Sequence, residues 1–293
     1  MKELLIFESV LKERIWGSER WTVSAHPSGD LKVSEGTYKG MTLSQLFGEH
    51  RELFGKVGGD RFPLLVKVIE AKADLSVQVH PGDAYAKEHE NGSLGKSECW
   101  YIMDPTDEGR LVLGHTAKSI DEAKALIDEG RWDDFLKRIR VKRGNFIQID
   151  PGTIHSICGG VSLTEIQQNS DITYRLYDYD RTVDGKKREL HLSQSLDVIN
   201  IPDQSRKNVF DAVPSDGYRT PFYTIRKEVI RGERVYEQKD TFQIVTVTDG
   251  EGSVDGRRVF GGDSLIVPDG YGTYGITGNV GILITTPSMQ YNM

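Results

Sequence analysis

The chain has 293 residues and is 37% hydrophobic, enough for two domains or one large one with a real core. Its formal charge of −7 excludes the concentrated basic surface that nucleic acid or an anionic membrane requires, so any anionic ligand must be held by local groups. Two cysteines, Cys99 and Cys158, with no CxxC pair, exclude a disulfide scaffold and a thiolate zinc knuckle and point to a reducing compartment.

The opening Met1-Lys-Glu-Leu-Leu-Ile-Phe-Glu-Ser carries an apolar run too short for a secretory signal, and no stretch approaches a membrane span. A cytoplasmic protein is therefore expected. In chain order, the spacing predicts a helix over 42–53 capped by Thr42, strands over 64–70 and 75–80, and a helix over 83–90 capped by Asp83. A strand over 98–103 follows, then a helix over 119–139. In that helix Ala123, Leu126 and Ile127, then Trp132, Phe135, Leu136 and Ile139, recur at helical steps, and Ser119 with Glu122 forms a capping box. Strands are expected over 145–150, 161–167 and 173–179. After Pro202 and the polar run Asp203–Asn208, a plausible boundary, helical signal nearly vanishes. Strands are read there over 222–230, 241–248, 264–268 and 281–286.

Two segments resemble each other: Gly144, Gly152 and His155 in GNFIQIDPGTIH align at one constant offset with Gly262, Gly270 and Thr273 in GDSLIVPDGYGT. Each reads as glycine, alternating strand, turn, then an inward side chain. Either the chain contains a duplication whose second copy has lost the histidine, or two strand–turn units merely look alike.

The histidines place the candidate chemistry. His80 closes an alternating strand, so Gln78 and His80 share one face while Val77 and Val79 share the other. That polar face either lines a cavity or meets solvent. His155 follows the tight turn Pro151-Gly-Thr and is either aimed inward or bonded to backbone. In SECWYIM, Glu98 shares a face with Trp100 and Ile102, a costly place for a carboxylate unless it is paired or metal-bound. The other arrangement makes Cys99, Tyr101 and Met103 the core face and leaves Glu98 exposed. Together Gln78, His80, Glu98 and His155 offer two imidazoles, a carboxylate and an amide oxygen, a set that suits zinc. The lack of thiolates points to an open, catalytic site.

Glu165 shares an inward face with Val161 and Leu163. Arg175 lies among aromatics in TYRLYDYDR, where a planar, always-charged guanidinium can clamp an oxyanion. A structural Glu165–Arg175 ion pair is the alternative. Lys67 and Lys96 lead into the supposed ligands and would meet an anionic substrate, unless they are simply solvated. DGEGSVDG lacks the strand–loop–helix context of a dinucleotide loop and reads as a hairpin turn. The two cysteines read as packing residues, and GKKRELH at 185–191 as a solvated loop.

These motifs, RIWG at 14–17, FPLLVKVIEAKADLSVQVHP at 62–81, GKSECWYIM at 95–103, PGTIHSI at 151–157, and TYRLYDYDR with RELHLSQSLDVI, resemble in order those of the type I phosphomannose isomerases of the short bacterial form. The resemblance covers nearly the whole chain. It implies a mainly β bicupin, two β-barrel or jelly-roll domains with a small helical insertion around 117–140. The metal-bearing catalytic domain would span 1–205 and a metal-free cupin-like domain 206–293. It further implies one Zn2+ per chain held by His80, Glu98 and His155, with Gln78 as a further ligand, Arg175 and Glu165 as catalytic groups, and Lys96 beside them. Longer members carry H-K-P-E where this chain has Gly95-Lys-Ser-Glu98, so the contact of Lys96 is the least defined.

The implied reaction interconverts mannose 6-phosphate and fructose 6-phosphate. A proton moves between C1 and C2, with zinc stabilising an enediolate and Glu165 or a zinc-bound water as base. The expected partner is a small hexose phosphate, with no nucleic acid or membrane, on a monomer or weak homo-oligomer. Two rival readings remain: a cupin oxygenase using two histidines and a carboxylate for iron, and a sugar-phosphate-binding protein without catalysis.

Overall fold

The computed structural model describes residues 2–106 and 109–289 and is mainly β, as expected. The chain divides into two compact units: Glu13–Glu19 with Ile69–Asp211, and Met1–Lys12 with Arg20–Val68 and Ala212–Met293. These are not the consecutive blocks 1–205 and 206–293. The late break falls close to the expected one, but most of the first 68 residues cluster with the C-terminal strands. Long-range pairing is the cause. The strand Leu5–Ile6 pairs antiparallel with Ser264–Val267, and Phe54 and Phe62 pack their rings on Phe242.

The unit containing Ile69–Asp211 is built from two antiparallel sheets. One orders the strands Tyr174–Tyr177, Val77–Val79, His155–Ile157, Arg110–His115 and Leu136–Arg140. The other, within this unit, runs Val209–Phe210, Phe146–Ile149, Glu98–Pro105, Val161–Gln168 and then the end of Leu64–Ala71. Their facing sides meet in one apolar core, with Leu111, Leu113 and Ile157 from the first sheet and Trp100, Ile102, Ile147, Ile149 and Leu163 from the second. Behind the first sheet, Val77, Val79, Val112, Tyr174 and Leu176 pack on Ala123, Leu126, Ile127 and Phe135. Helices thus cover the sheet's back, and its inner face is left to the core and the site.

The helices follow their local signals with three corrections. Thr42 caps Leu43–Glu49 in a complete capping box with Gln45. Ser119 caps Ile120–Asp128, but the Glu122 carboxylate accepts from the Lys118 N–H, so the second half of the predicted box is absent. Gly82, rather than Asp83, precedes Asp83–His89 as N-cap, because the Asp83 carboxylate is taken by Gly95 N–H at 2.8 Å and Gln168 Nε2 at 2.9 Å. The helix predicted to run to 139 stops at Asp128, resumes over Trp132–Phe135, and gives way to the strand Leu136–Arg140. That strand pairs with Arg110–His115, and sheet pairing overrides the helical spacing of Leu136 and Ile139. The helix Leu192–Val198 was not anticipated.

In the other unit the late strands are longer than their sequence signals, reaching Tyr223–Glu237, Gln243–Val254 and Thr273–Pro287. The repeated pattern recurs in backbone form. Gly144 and Gly262 have φ of 90° and 89°, and the strands Phe146–Ile149 and Ser264–Val267 follow each at the same step. Gly152 and Gly270 are also left-handed, and His155 and Thr273 each open the next strand. Among the described residues no helix is long and apolar enough to cross a membrane.

Candidate metal centre

Strand register assembles the site. His155 lies opposite Gln78, and Gln78 opposite Arg175, so these three side chains share the core-facing side of the first sheet. On the second sheet Glu98 begins its strand, with Trp100 opposite Glu165. His80 sits one residue beyond Val79, at the same end.

His80, Glu98 and His155 each place one ligand atom within 4.8 Å of the others, and all three are buried. His80 Nε2 is 3.1 Å from His155 Nε2 and 3.6 Å from Glu98 Oε2, while His155 Nε2 is 3.4 Å from Glu98 Oε1. His155 Nδ1 donates to the Thr153 carbonyl at 2.8 Å. A carbonyl can only accept, so the proton is on Nδ1 and the Nε2 lone pair faces the cluster. Burial pushes the His155 imidazole down to about 4, partly opposed by the Thr153 carbonyl, which keeps it neutral near pH 7. Two imidazole nitrogens and a carboxylate converging in a buried cluster are the donor set of a divalent cation such as zinc, and the residues present fit such an ion. Gln78 stands beside them, its amide nitrogen 3.3 Å from His155 Nε2.

Lys96 is not solvated. It is 3% exposed, with Nζ 2.8 Å from Glu98 Oε2 and 3.2 Å from His80 Nε2. Lys67 is also buried, but its Nζ lies 5.3 Å from the centre of the Trp21 ring, in the other unit.

Glu165 is buried and accepts the Trp100 indole N–H at 3.0 Å. Arg175 donates from Nη1 to the Glu189 carbonyl at 2.8 Å, and its Nε is buried without a hydrogen-bond partner among the described residues. Burial, and then the neighbouring Arg188, push its guanidinium below the ordinary value. The charge of Arg188 is met by Asp178, which also takes Arg181. The backbone bond offered as an alternative for His155 is present together with the inward ring, and sequence reading missed two supports: the Trp100 N–H, and the two carbonyl bonds from Asn200 that hold the Pro151–Thr153 turn. The first alone had a local signal, its shared face with Glu98. Cys99 is buried and the Cys158 thiol is pushed up to about 11, first by burial and then by Asp74, as packing residues would be.

A two-sheet β fold with a buried His–Glu–His cluster defines a member of the cupin class. A sequence model of the type I phosphomannose isomerase catalytic domain matches residues 8–116. The mannose-6-phosphate isomerase ManA of Bacillus subtilis is 41% identical, over 94% of this chain and 96% of its own length. The mannose-6-phosphate isomerase of Streptococcus mutans is 39% identical, over 97% of this chain and 98% of its own. The crystal structure of the Bacillus subtilis mannose 6-phosphate isomerase superposes with a TM-score of 0.90 at 36% identity, over 97% of this chain and all of that one. The chain belongs to the type I phosphomannose isomerase family.

Proposed function

We propose that this chain interconverts mannose 6-phosphate and fructose 6-phosphate with one zinc ion held by His80, Glu98 and His155, Gln78 completing the set. The observation that carries this reading is the convergence of His80, Glu98 and His155 in one buried cluster with Lys96 against it, in a chain 41% identical to an enzyme of that name.

Zinc, when bound, supplies Lewis-acid polarisation of the substrate oxygens. The remaining work falls to side chains. Glu165, fixed by the Trp100 N–H, is the group that carries the proton between C1 and C2. Arg175 keeps its charge and faces the growing negative charge of the enediolate or the phosphate dianion. Lys96 offers a second cation beside Glu98. The apolar core below, with Trp100 and Ile149, keeps water from the reacting carbons. The late strands, with the early segments that cluster with them, would be the metal-free cupin domain, since Thr273 stands where His155 does in the repeat. The absence of a disulfide between Cys99 and Cys158 accords with a cytoplasmic setting.

The test is a coupled assay with mannose 6-phosphate under anaerobic conditions, run on the protein as prepared, after chelation, and after zinc is returned. Turnover lost and restored supports the reading. Turnover absent throughout rejects it, and hexose-phosphate binding without isomerisation favours the non-catalytic rival. An absolute need for dioxygen favours the oxygenase.

A further inference from the structure

We infer that Gln167 is a substrate-binding residue whose side-chain Oε1 accepts a hydrogen bond from a hydroxyl of the bound hexose phosphate; this rests on the isomerase reading of the site. Gln167 lies directly opposite Glu98 in the antiparallel pairing of Glu98–Pro105 with Val161–Gln168. Opposed residues of such a pair project to the same side, so Gln167 emerges beside the carboxylate that meets His80 and His155, two positions along from Glu165. Its side chain is fully buried.

The orientation of the amide is fixed by its partners. Nε2 donates to the Gln168 carbonyl at 2.9 Å and to the Ser170 carbonyl. Both can only accept, so the NH2 occupies that side of the group and Oε1 the other. Oε1 is buried and has no hydrogen-bond partner among the described residues. Buried amide oxygens are almost always satisfied, so one left open on the residue paired with a carboxylate of the site calls for a donor from the ligand.

The chemistry of that donor follows. A neutral carbonyl oxygen repels phosphate oxygens, and its cross-strand partner Glu98 is a further acceptor. The group that satisfies it is an O–H, and a hexose phosphate carries several on carbons that do not react. Gln167 therefore reads the sugar and leaves the phosphate to cations.

The experiment pairs the Gln167→Met variant, similar in length but without the acceptor, with mannose 6-phosphate and its analogues lacking the hydroxyl at carbon 3 or carbon 4. The expected result is a fall of roughly tenfold or more in kcat/KM for mannose 6-phosphate with zinc content unchanged. For one deoxy analogue, native protein and variant should be equal. An identical loss on every analogue overturns the assignment. Because the variant also strips donors from the Gln168 and Ser170 carbonyls and risks misfolding, native protein crystallised with fructose 6-phosphate gives a second reading. A sugar hydroxyl within hydrogen-bonding distance of Oε1 is expected, and a water or protein group there instead overturns it. That complex reports binding, so it stands apart from the isomerase reading, which fails only if native protein shows no turnover.

Discussion

Lys96 Nζ lies 2.8 Å from Glu98 Oε2, both side chains buried, so the carboxylate proposed to hold zinc is also the partner of an ammonium. Removing one member of a buried ion pair costs about 3–5 kcal/mol, because the other charge is stranded. Removing the ammonium also removes a charge that opposes cation binding. Lys96→Met should therefore lower the melting temperature of the metal-free protein, bind zinc at least as tightly as native in chelator competition, and raise the stabilisation that zinc confers. Weaker zinc binding in the variant would show that Lys96 helps to build the site.

Arg175→Lys keeps a positive charge but loses the planar fork and the bond to the Glu189 carbonyl. If the guanidinium faces charge that develops during reaction, kcat should fall by roughly a hundredfold or more. Zinc per chain, measured by elemental analysis, should not change. A parallel loss of zinc and turnover would assign Arg175 a structural role.

Gly152 ties the two histidines together: its N–H donates to the His80 carbonyl at 2.9 Å, and it belongs to the turn that launches His155. Its φ is +81°, and an added Cβ would meet the Val198 carbonyl oxygen at 2.6 Å. Gly152→Ala should cost at least ~1–3 kcal/mol in urea unfolding. It should also weaken zinc binding, since a shift of the turn that relieves the clash carries His155 with it. Native zinc affinity in a destabilised variant would mean that the turn yields without disturbing the ligand.

His115 is buried, contacts the Asn200 carbonyl through Nε2 at 3.0 Å, and stacks on Phe135. Burial holds its imidazole below the ordinary 6.5, with the Asn200 carbonyl opposing in part. The unfolded chain takes up a proton near 6.5 that the folded chain refuses. Stability present above 6.5 is thus lost as the pH falls through the folded value. Urea unfolding of native protein and His115→Gln, compared at about pH 7.5 and about pH 5.5, should show a steeper loss in the native protein. Equal slopes would remove His115 as the cause.

The site was legible in the sequence to different depths at different residues. His80 and His155 stand out because a polar ring at the end of an alternating strand, and another after a fixed turn, are local signals. Glu98 was ambiguous on alternation alone, and the reason is visible in the fold. Cys99 and Tyr101 are buried on one face of its strand, and Trp100 and Ile102 on the other, so period-two patterning could not say which side faced the core. The family resemblance chose the correct face where the periodicity could not. The place of Lys96 just ahead of Glu98 drew notice but could not tell a buried lysine from a solvated one, because its burial depends on strands far away in sequence.

By itself the sequence determined what depends on neighbours along the chain: the caps at Thr42 and Ser119, the split of Gln78 and His80 from Val77 and Val79, and the glycine turns before His155 and Thr273. Tertiary structure decided what depends on distant partners. It turned Leu136–Arg140 from helix to strand by pairing it with Arg110–His115, and joined Leu5–Ile6 to Ser264–Val267 across nearly the whole chain. It also set the Gln167 amide beside Glu98. Backbone propensity is a few tenths of a kcal/mol per residue, whereas pairing and burial act on whole strands at once, so where the two conflict the long-range contacts win.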